Sequence, residues 1–396
     1  MPDTSGRLRV VTLVDRLDSG LGGAERIARN IVTGLDPQRF DRTICVSRWS
    51  DERASEADTA NTLEVLRQTG VRFLGLERRS ARQVQAWRPL LSLLRRERVD
   101  VLHAHQHSSN AWAALLGTVA RTPVVVAHEH SWSFVGQAVR RFVDREVIAR
   151  RADAILTVSD EDKRRMIEIE RIDPAKLIIV PNGIPSPPPP SGRDLRGELE
   201  IPPDAPVVGT VSVLRPEKSL DLLIRAAGRL RERFPELRVL IAGDGPQRAR
   251  LQDLIDELGL HETVRLLGLR SDVPDLLRIL QAAVCCSEFE GNPLSVMEYM
   301  EAGLPVVVTR VGGLPAMISD RVHGLQVERG DVEGLAAALG ELLENPGFAA
   351  ELGRRGQERR RTEFDLNAMI RRVERVYLDL YEAAGSNAGR GSASRP

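Results

Sequence analysis

The chain has 396 residues, of which 42% are hydrophobic and 28% charged, and its formal net charge is zero. This length exceeds one ordinary core and predicts two domains, while the balanced charge argues against nucleic-acid binding. Three cysteines provide no disulfide framework, no apolar run reaches the roughly 18 residues of a membrane-spanning helix, and the N-terminus lacks a signal-peptide pattern. We therefore expect a cytoplasmic protein.

The first half of the chain alternates short β-rich runs with helical patterns. Strands are predicted at residues 8–14, 42–47, 71–74, 99–103, 123–127, 154–158 and 177–180. Helical patterns lie near residues 23–34, 81–97, 109–120, 136–150 and 160–170. Strands that alternate with helices in this way predict a parallel sheet with helices on both faces.

A proline-rich segment, PNGIPSPPPPSG, ends this alternation at residues 181–192. Proline lacks the backbone N–H and fixes φ, so the segment predicts an extended linker. We place the linker at residues 186–205, between a first domain at 1–185 and a second domain at 206–370.

The alternation then restarts. Strands are predicted at residues 207–214, 238–242, 264–267, 283–287, 305–309 and 325–327, and the chain from residue 331 is mostly helical. The predicted fold class is therefore α/β, with two doubly wound Rossmann-like domains that face a cleft. Ligands of such sheets bind beyond the carboxyl ends of the strands.

Two kinds of residue mark the strand ends of the first domain. Gly22 and Gly23 follow the first strand in DSGLGGAE, where they permit either close approach of the backbone to a ligand or an ordinary turn. Five of the seven histidines follow adjacent strands, in VLHAHQH and VVVAHEH. A zinc site is one interpretation of these histidines, but neither HExxH nor CxxC accompanies them, and we expect no metal. At least one is expected to have a polar role in an active site.

In the second domain, Arg215 and Lys218 lie just past the first strand, in LRPEK. Two cations at a strand end suit the neutralisation of phosphates, although a solvated surface pair is also possible. Gly243 and Gly245 end the next strand in AGDGP.

The stretch EFEGNPLSVME at residues 288–298 predicts a helix N-terminus. Asn292 is expected to cap it, with Pro293 in the first helical position and the N–H groups of Leu294 and Ser295 open to an anion. Glu290 and Glu298 flank this anion site, and carboxylates accept hydrogen bonds from sugar hydroxyls. A ligand with both phosphates and hydroxyls, such as a nucleotide-sugar, fits this pattern.

The stretch EFEGNPLSVMEYMEAGLPVVVTRVGGLP resembles the signature of family 4 of the retaining glycosyltransferases, E-G-x-P-x-x-x-x-E. The resemblance covers roughly residues 7–380 and includes GGAE, HAH, PNGI, LRPEK, AGDGP and DRVHG. It implies the GT-B fold, with the nucleotide-sugar held by the second domain, the acceptor mostly by the first, and the last helix returning to the first domain. We place that helix at residues 371–385 and, from composition, a disordered tail at 386–396.

The resemblance also implies roles for individual residues. Glu290 would contact the donor hexose, Glu298 the ribose and Lys218 the diphosphate. The phosphate-binding end of the helix would comprise Gly291, Asn292, Pro293, Leu294 and Ser295. Either His128 or His130 would contact the sugar, with His130 favoured, and the rest of the substrate-binding site would comprise Gly22, Gly23, His105, Gly243 and Gly245.

The chain departs from the family pattern at two positions. Val213 stands where the family has an arginine, so Arg215 is expected to substitute from the same loop. Ala316, after Pro315, stands where the family has a glutamate. The implied activity is metal-independent hexosyl transfer with retention, from a UDP- or GDP-sugar and without a cofactor. In such a transfer the leaving diphosphate helps to deprotonate the acceptor, and cations stabilise the leaving charge.

Alternatives remain open at this point. They are a non-hydrolysing nucleotide-sugar epimerase, a non-catalytic nucleotide-sugar binding protein and, less compatible because GxGxxG is absent, an NAD-dependent dehydrogenase. The helical pattern at residues 82–98, with Trp87, four leucines and five arginines, either lies on an anionic membrane or packs its leucines on the sheet. The membrane alternative implies a lipid-linked acceptor and peripheral attachment at the inner face of the membrane.

Overall fold

The computed structural model describes residues 6–17, 22–49, 57–80, 83–131, 137–189 and 191–392. It divides into two compact units. Unit 1 comprises Met1–Asn182 together with Leu366–Pro396, and unit 2 comprises Gly183–Asp365. The first unit is therefore built from two separate segments of the chain, and the second from one continuous segment.

Unit 1 contains a seven-stranded parallel sheet. Its strands are β1 (Leu8–Val14), β2 (Phe40–Val46), β3 (Arg72–Gly75), β4 (Val101–His105), β5 (Val124–Glu129), β6 (Ala154–Thr157) and β7 (Leu177–Ile179). They lie in the order β3-β2-β1-β4-β5-β6-β7, and every pair is parallel. The order runs outward in both directions from β1 and β4, which defines a doubly wound sheet.

Helices connect the strands of unit 1. They are α1 (Gly23–Gly34), α2 (Ala57–Gln68), α3 (Arg88–Arg96), α4 (His107–Ala120), α5 (Ala138–Val143), α6 (Ala149–Arg151) and α7 (Asp160–Glu168). Short 3-10 turns lie at Val84–Trp87 and Pro174–Lys176, and a π-helical turn at Asp144–Ile148 joins α5 to α6. The last helix of the chain, Leu366–Ser392, also belongs to this unit.

Unit 2 repeats the architecture with six strands. They are β8 (Val207–Val211), β9 (Arg238–Ala242), β10 (Val264–Gly268), β11 (Ala282–Cys285), β12 (Val306–Thr309) and β13 (Leu325–Val327), in the parallel order β10-β9-β8-β11-β12-β13. Its helices are α8 (Leu195–Glu198), α9 (Leu220–Leu230), α10 (Arg248–Glu257), α11 (Val273–Ile279), α12 (Leu294–Glu301), α13 (Leu314–Met317), α14 (Val332–Glu344) and α15 (Pro346–Glu363), with a 3-10 turn at Pro216–Lys218. The last helix, Leu366–Ser392, is α16.

The predicted α/β fold class is confirmed, and each predicted strand is present with ends shifted by a few residues at most. Helix α2 was not predicted. Part of its buried face consists of Thr59 and Thr62 beside Leu66, so the apolar spacing that marks an amphipathic helix is missing from its sequence. The three cysteines are free, and all three are buried.

The predicted linker at residues 186–205 is too long. Its second part packs in unit 2, where Leu195, Ile201 and Ala205 are buried and Asp194 caps α8 by accepting a hydrogen bond from the Gly197 N–H. Proline dominates only the first part of the predicted linker, and the apolar residues that follow are buried in unit 2.

The C-terminal helix is longer than predicted in both directions. It begins at Leu366 rather than 371 and continues to Ser392 through most of the segment predicted as a disordered tail; residues 393–396 lie outside the described residues. Met369, Ile370, Val373 and Tyr377 anchor its first half in the core of unit 1. Extending an anchored helix costs far less than nucleating one, which accounts for the continuation through a polar sequence.

The apolar face of α3 is buried. Trp87, Leu90 and Leu94 lie in the core of unit 1, and Leu91 and Leu93 pack against that core. Hence the expectation that this face lies on a membrane is wrong, and the sheet-packing alternative is correct. Within the described residues, no helix has both the length and the apolar composition that crossing a membrane requires.

Candidate active site

The carboxyl ends of β8 and β11 form the switch point of the unit 2 sheet. The two strands are neighbours, and the chain winds outward from β8 on one side and from β11 on the other. Loops at such a point diverge and leave a crevice above the sheet. The loop after β8 carries Lys218, and the loop after β11 carries Glu290, so both predicted residues reach this position.

Lys218 and Glu290 form an ion pair across the switch point. The Lys218 Nζ lies 2.6 Å from the Glu290 Oε1, and the Ser287 hydroxyl donates to the same oxygen at 2.7 Å. Burial opposes the charge on Lys218, but Glu290, together with Cys285 and Glu217, more than offsets burial, so the pKa of Lys218 is raised. Lys218 therefore keeps its positive charge at the strand ends.

Helix α12 begins directly after this pair. Pro293 has φ −71° and ψ 131°, an extended conformation, so the helix starts at Leu294 and Pro293 is its cap. The expectation that Asn292 caps and Pro293 is the first helical residue is off by one position. The N–H groups of Leu294 and Ser295 belong to the first turn, where they lack partners within the helix and favour an anion.

Tyr299 fixes α12 against the end of β8. Its hydroxyl accepts a hydrogen bond from the Val211 N–H at 2.6 Å and lies 3.3 Å from the Thr210 hydroxyl. Neither Tyr299 nor Ser287 was predicted from the sequence. The E-G-x-P-x-x-x-x-E spacing gives no information about them. Tyr299 contacts a strand that is distant in sequence, and Ser287 acts through a hydrogen bond between side chains.

The loop after β12 closes on Glu290 from the other side. Gly313 donates its N–H to the Glu290 carbonyl oxygen at 2.9 Å. Gly312 has φ +53°, and a Cβ at this position would lie 1.9 Å from the same oxygen. Thus only glycine at position 312 permits this approach, which positions Gly291 and the start of α12.

Gly243 and Gly245 have a similar packing role beside β8. Both have positive φ, and a Cβ on Gly243 would lie 1.9 Å from the Ser212 carbonyl oxygen. The Leu214 N–H donates to the Asp244 carbonyl at 3.0 Å, next to the turn that carries Lys218. These glycines therefore support the Lys218 loop; whether they also contact a ligand stays a prediction.

Arg215 begins the 3-10 turn that ends with Lys218. Its side chain is 45% exposed and its guanidinium lies 3.9 Å from the Glu217 carboxylate, whereas the Lys218 side chain is 24% exposed. Val213 is half-buried in the same loop, and Ala316 is exposed in α13. Glu298 is half-buried on α12, one turn beyond its start.

In unit 1, four histidines meet at the ends of β4 and β5. The ring centroids of His103 and His105 lie 4.2 Å apart, those of His128 and His130 4.3 Å, and those of His105 and His128 5.0 Å. Burial lowers the pKa of His103 and His130 to about 3 and places the pKa of His105 and His128 well below the ordinary value. All four rings are therefore neutral near pH 7.

Gly22 precedes α1, which follows β1 at the carboxyl ends of the unit 1 strands, as the histidines do. Its φ is 170°, which is extended backbone, and Gly23 is the first residue of α1. Glu25 on this helix accepts a hydrogen bond from the Gln106 side chain at 2.8 Å, so α1 is tied to the end of β4. Gly20, the first glycine of DSGLGGAE, lies outside the described residues.

A buried acidic group next to the histidines was not predicted. Glu129 accepts a hydrogen bond from the Asn110 side chain at 2.7 Å. Burial and the Asp144 carboxylate raise the pKa of Glu129 to about 7, against the opposing influence of Arg140. His107 lies 2.7 Å from Asp144. The signal was present in AHEH, where an acid stands between two histidines at a strand end.

Two doubly wound parallel units, with a lysine–glutamate pair and a helix N-terminus at the switch point of the second, define a protein of the GT-B class. The model of "Glycosyltransferase Family 4" matches residues 21–186, and that of "Glycosyl transferases group 1" matches residues 192–359. Together the two models cover most of the chain and every described strand except β1, and the chain belongs to the family 4 type of glycosyltransferases.

Relatives and solved structures agree with this assignment. The D-inositol 3-phosphate glycosyltransferase of Mycobacterium avium is 34% identical over 221 residues, which are 53% of this chain and 51% of that protein; the chain spans about half the length of the curated relatives it matches. Anabaena Alr3699/HepE in complex with UDP-glucose has a TM-score of 0.81 at 20% identity, over 94% of this chain and 100% of that one. Sucrose-phosphate synthase from Thermosynechococcus elongatus has a TM-score of 0.79 at 20% identity, over 95% and 100%. At these identities the solved structures establish the fold.

Proposed function

We propose that the chain transfers a hexosyl group from a UDP- or GDP-sugar to a hydroxyl of a glycan, a lipid-linked acceptor or a small molecule, with retention of anomeric configuration. The observation that carries the proposal is the Lys218–Glu290 pair, 2.6 Å long, beside the N-terminus of α12. A diphosphate needs both the cation and the helix end, and sugar hydroxyls need the carboxylates. Unit 2 is the proposed donor-binding unit.

In the proposed reaction the bond between the anomeric carbon and the phosphate oxygen breaks, and the acceptor oxygen bonds to the same face of the sugar. The acceptor proton passes to the departing diphosphate. Lys218, the first N–H groups of α12 and, less directly, Arg215 stabilise the charge that develops on the diphosphate. Glu290 orients the hexose through hydrogen bonds to its hydroxyls, and Glu298 binds the ribose.

His130 is the proposed sugar contact of unit 1. Of the four clustered histidines, His103, His105 and His128 are buried, and His130 is half-buried. Its Nε2 lies 2.9 Å from the His105 Nδ1, which would hold the ring in one orientation. These facts favour His130 over His128 and give His105 a supporting role.

A screen of UDP-, GDP- and ADP-sugars by thermal shift, followed by a transfer assay, tests the proposed function. At 100 times its dissociation constant a true donor should stabilise the protein by about 2.7 kcal/mol. The UDP-glucose bound to the Anabaena structure makes UDP-sugars the first to test. Inversion of UDP-N-acetylglucosamine at C2 would indicate an epimerase instead, and donor binding without transfer or hydrolysis would indicate a binding protein.

The acceptor is proposed only as a class. The Mycobacterium avium relative is named for inositol 3-phosphate, so polyol phosphates belong in the acceptor screen beside glycans and lipid-linked sugars. Since Leu90 and Leu94 of α3 are buried and Leu91 and Leu93 pack against the core, peripheral membrane attachment would be electrostatic and would weaken as salt screens it. Co-sedimentation with anionic vesicles at low and high salt tests this point.

We expect Glu298→Ala to weaken nucleotide-sugar binding about tenfold to a hundredfold, because hydrogen bonds to a charged group contribute about 1.5–3 kcal/mol. Titration calorimetry with the identified donor measures the effect. Glu333→Ala is the matched control, since Glu333 is 71% exposed in the same unit. Equal donor affinities in the two variants would contradict the ribose role of Glu298.

Transfer should not depend on added divalent metal. Lys218 and the start of α12 provide the positive charge that a metal supplies on the diphosphate in other enzymes. Initial rates with Mg²⁺, with Mn²⁺ and without either should agree. Activity that EDTA abolishes and Mn²⁺ restores would refute this expectation.

A further inference from the structure

The histidine cluster of unit 1 has more polar atoms than its surroundings can satisfy. His105 on β4 is paired in register with His128 on β5, and His103 lies two residues earlier, on the same face of β4. His103, His105 and His128 are 0–1% exposed. Three neighbouring imidazoles therefore lie in the interior of the unit, out of contact with water.

The hydrogen bonds of the cluster are arranged asymmetrically. The His103 Nδ1 lies 2.6 Å from the Tyr377 hydroxyl, and the His105 Nδ1 lies 2.9 Å from the His130 Nε2. The Nε2 atoms of His103 and His105 and both ring nitrogens of His128 are buried, with no hydrogen-bond partner in the part of the chain that the structure describes. Leaving a buried polar atom without a partner is unfavourable, so several such nitrogens in one cluster point to a ligand that binds them.

We propose that His103, His105 and His128 bind a divalent transition metal ion, with zinc the best match. One ring nitrogen from each lies within 4.8 Å of the other two, close enough to converge on one ion after small side-chain movements. Three imidazoles with an open fourth position are a common zinc ligand set.

The hydrogen bonds to Nδ1 fit this assignment. A metal-binding histidine usually donates its other N–H to a neighbouring acceptor, which fixes the tautomer. His103 would donate its Nδ1–H to the Tyr377 oxygen, and His105 its Nδ1–H to the His130 Nε2. Each then directs the lone pair of its Nε2 toward the ion. Burial also keeps the rings neutral, which is the form that binds metal.

A zinc ion at these histidines departs from the expectation of no metal that followed from the sequence motifs. The sequence lacks the usual zinc motifs, and it cannot show that Tyr377, 274 residues after His103, orients that ring. The ligands of the proposed ion all belong to unit 1, and the role proposed for Lys218 of unit 2 does not involve the ion. Its consequence for transfer would be indirect, because a fixed His105 holds His130 in place.

Metal analysis tests the proposal without any activity assay. The full chain is produced without a histidine tag, purified without chelator and examined by inductively coupled plasma mass spectrometry. We expect about one zinc per chain, lost in His128→Gln and retained in His261→Gln. His261 is the matched control because its side chain is 58% exposed, and far-ultraviolet circular dichroism verifies that both variants fold.

A second readout uses Co²⁺ on the metal-free wild-type chain. Visible absorption typical of tetrahedral Co²⁺ that saturates at one equivalent would support the site, even if His128→Gln fails to fold. Absence of both bound zinc and the Co²⁺ absorption would overturn it. So would retention of the metal in His128→Gln with loss in His107→Gln, because His107, Glu129 and Asp144 form a separate group with converging ligand atoms.

Discussion

Lys218→Met is expected to lower kcat/KM about 10²–10³-fold, the loss of about 2.7–4 kcal/mol that follows removal of one preorganised group from a developing charge. Methionine keeps the length of the side chain but has no charge to place on the departing diphosphate. Steady-state kinetics with the identified donor and acceptor measure the effect. Because the interaction strengthens as the leaving group gains charge, kcat should fall more than donor affinity.

The same substitution removes the cation beside Glu290. That carboxylate is 11% exposed, and of its present contacts within 3 Å it would keep only the Ser287 hydroxyl. The protein should therefore also lose some stability. The loss should be smaller than that for breaking a fully buried pair, which is about 3–5 kcal/mol. The double variant Lys218→Met with Glu290→Gln should recover stability without recovering activity.

Arg215→Met, at a 45% exposed position, should lower kcat/KM less than Lys218→Met does. If Arg215→Met lowers kcat/KM more than Lys218→Met does, Arg215 rather than Lys218 is the main cation on the departing diphosphate.

Gly312→Ala is expected to abolish most donor binding and to destabilise unit 2. Its Cβ would lie 1.9 Å from the Glu290 carbonyl oxygen and 2.9 Å from the carbonyl carbon, so the backbone of the Glu290 loop must move. A shift of that loop displaces Glu290 and Gly291 and, with them, the start of α12. Donor titration and thermal unfolding measure the two consequences.

The matched control for Gly312→Ala is Gly259→Ala. Gly259 has φ +62°, and the Cβ that alanine adds there would have no neighbouring atom within 4 Å, whereas Gly312 has φ +53° and the close carbonyl. The left-handed backbone conformation therefore costs alanine a similar energy of about 1–2 kcal/mol at both positions, and only Gly312→Ala adds the steric conflict. If both variants lose the same stability and both bind the donor normally, the packing role of Gly312 is wrong.

Local sequence patterns predicted most of the fold and the residue types of the candidate site. The β-rich runs located every strand, since buried parallel strands are short and rich in valine, isoleucine and leucine. The loop after β8 and the stretch before α12 supplied Lys218 and Glu290. Their direct contact was not predicted, because it depends on β8 and β11 being neighbours in the sheet.

The features that were missed depend on contacts between distant residues. Tyr299 reaches back to Val211, Gly312 approaches Glu290, and Tyr377 contacts His103. No spacing rule within a helix or a strand describes such pairs. The same limit explains the overlong linker, because Leu195 is recognisable as a buried residue only once the residues around it in unit 2 are known.

Because unit 1 is built from two separate segments of the chain, the two units can complete their folding only in a certain order during synthesis. Tyr377 is fully buried, with its ring 6.1 Å from that of Phe40, and Glu374 accepts a hydrogen bond from the Asp36 N–H at 2.8 Å. Both belong to α16, which leaves the ribosome last. Unit 2, continuous from Gly183 to Asp365, can therefore complete its core on the nascent chain while the earlier-made segment still waits for its final helix. A premature stop codon at position 366 would leave unit 2 whole and unit 1 without the helix that completes its core.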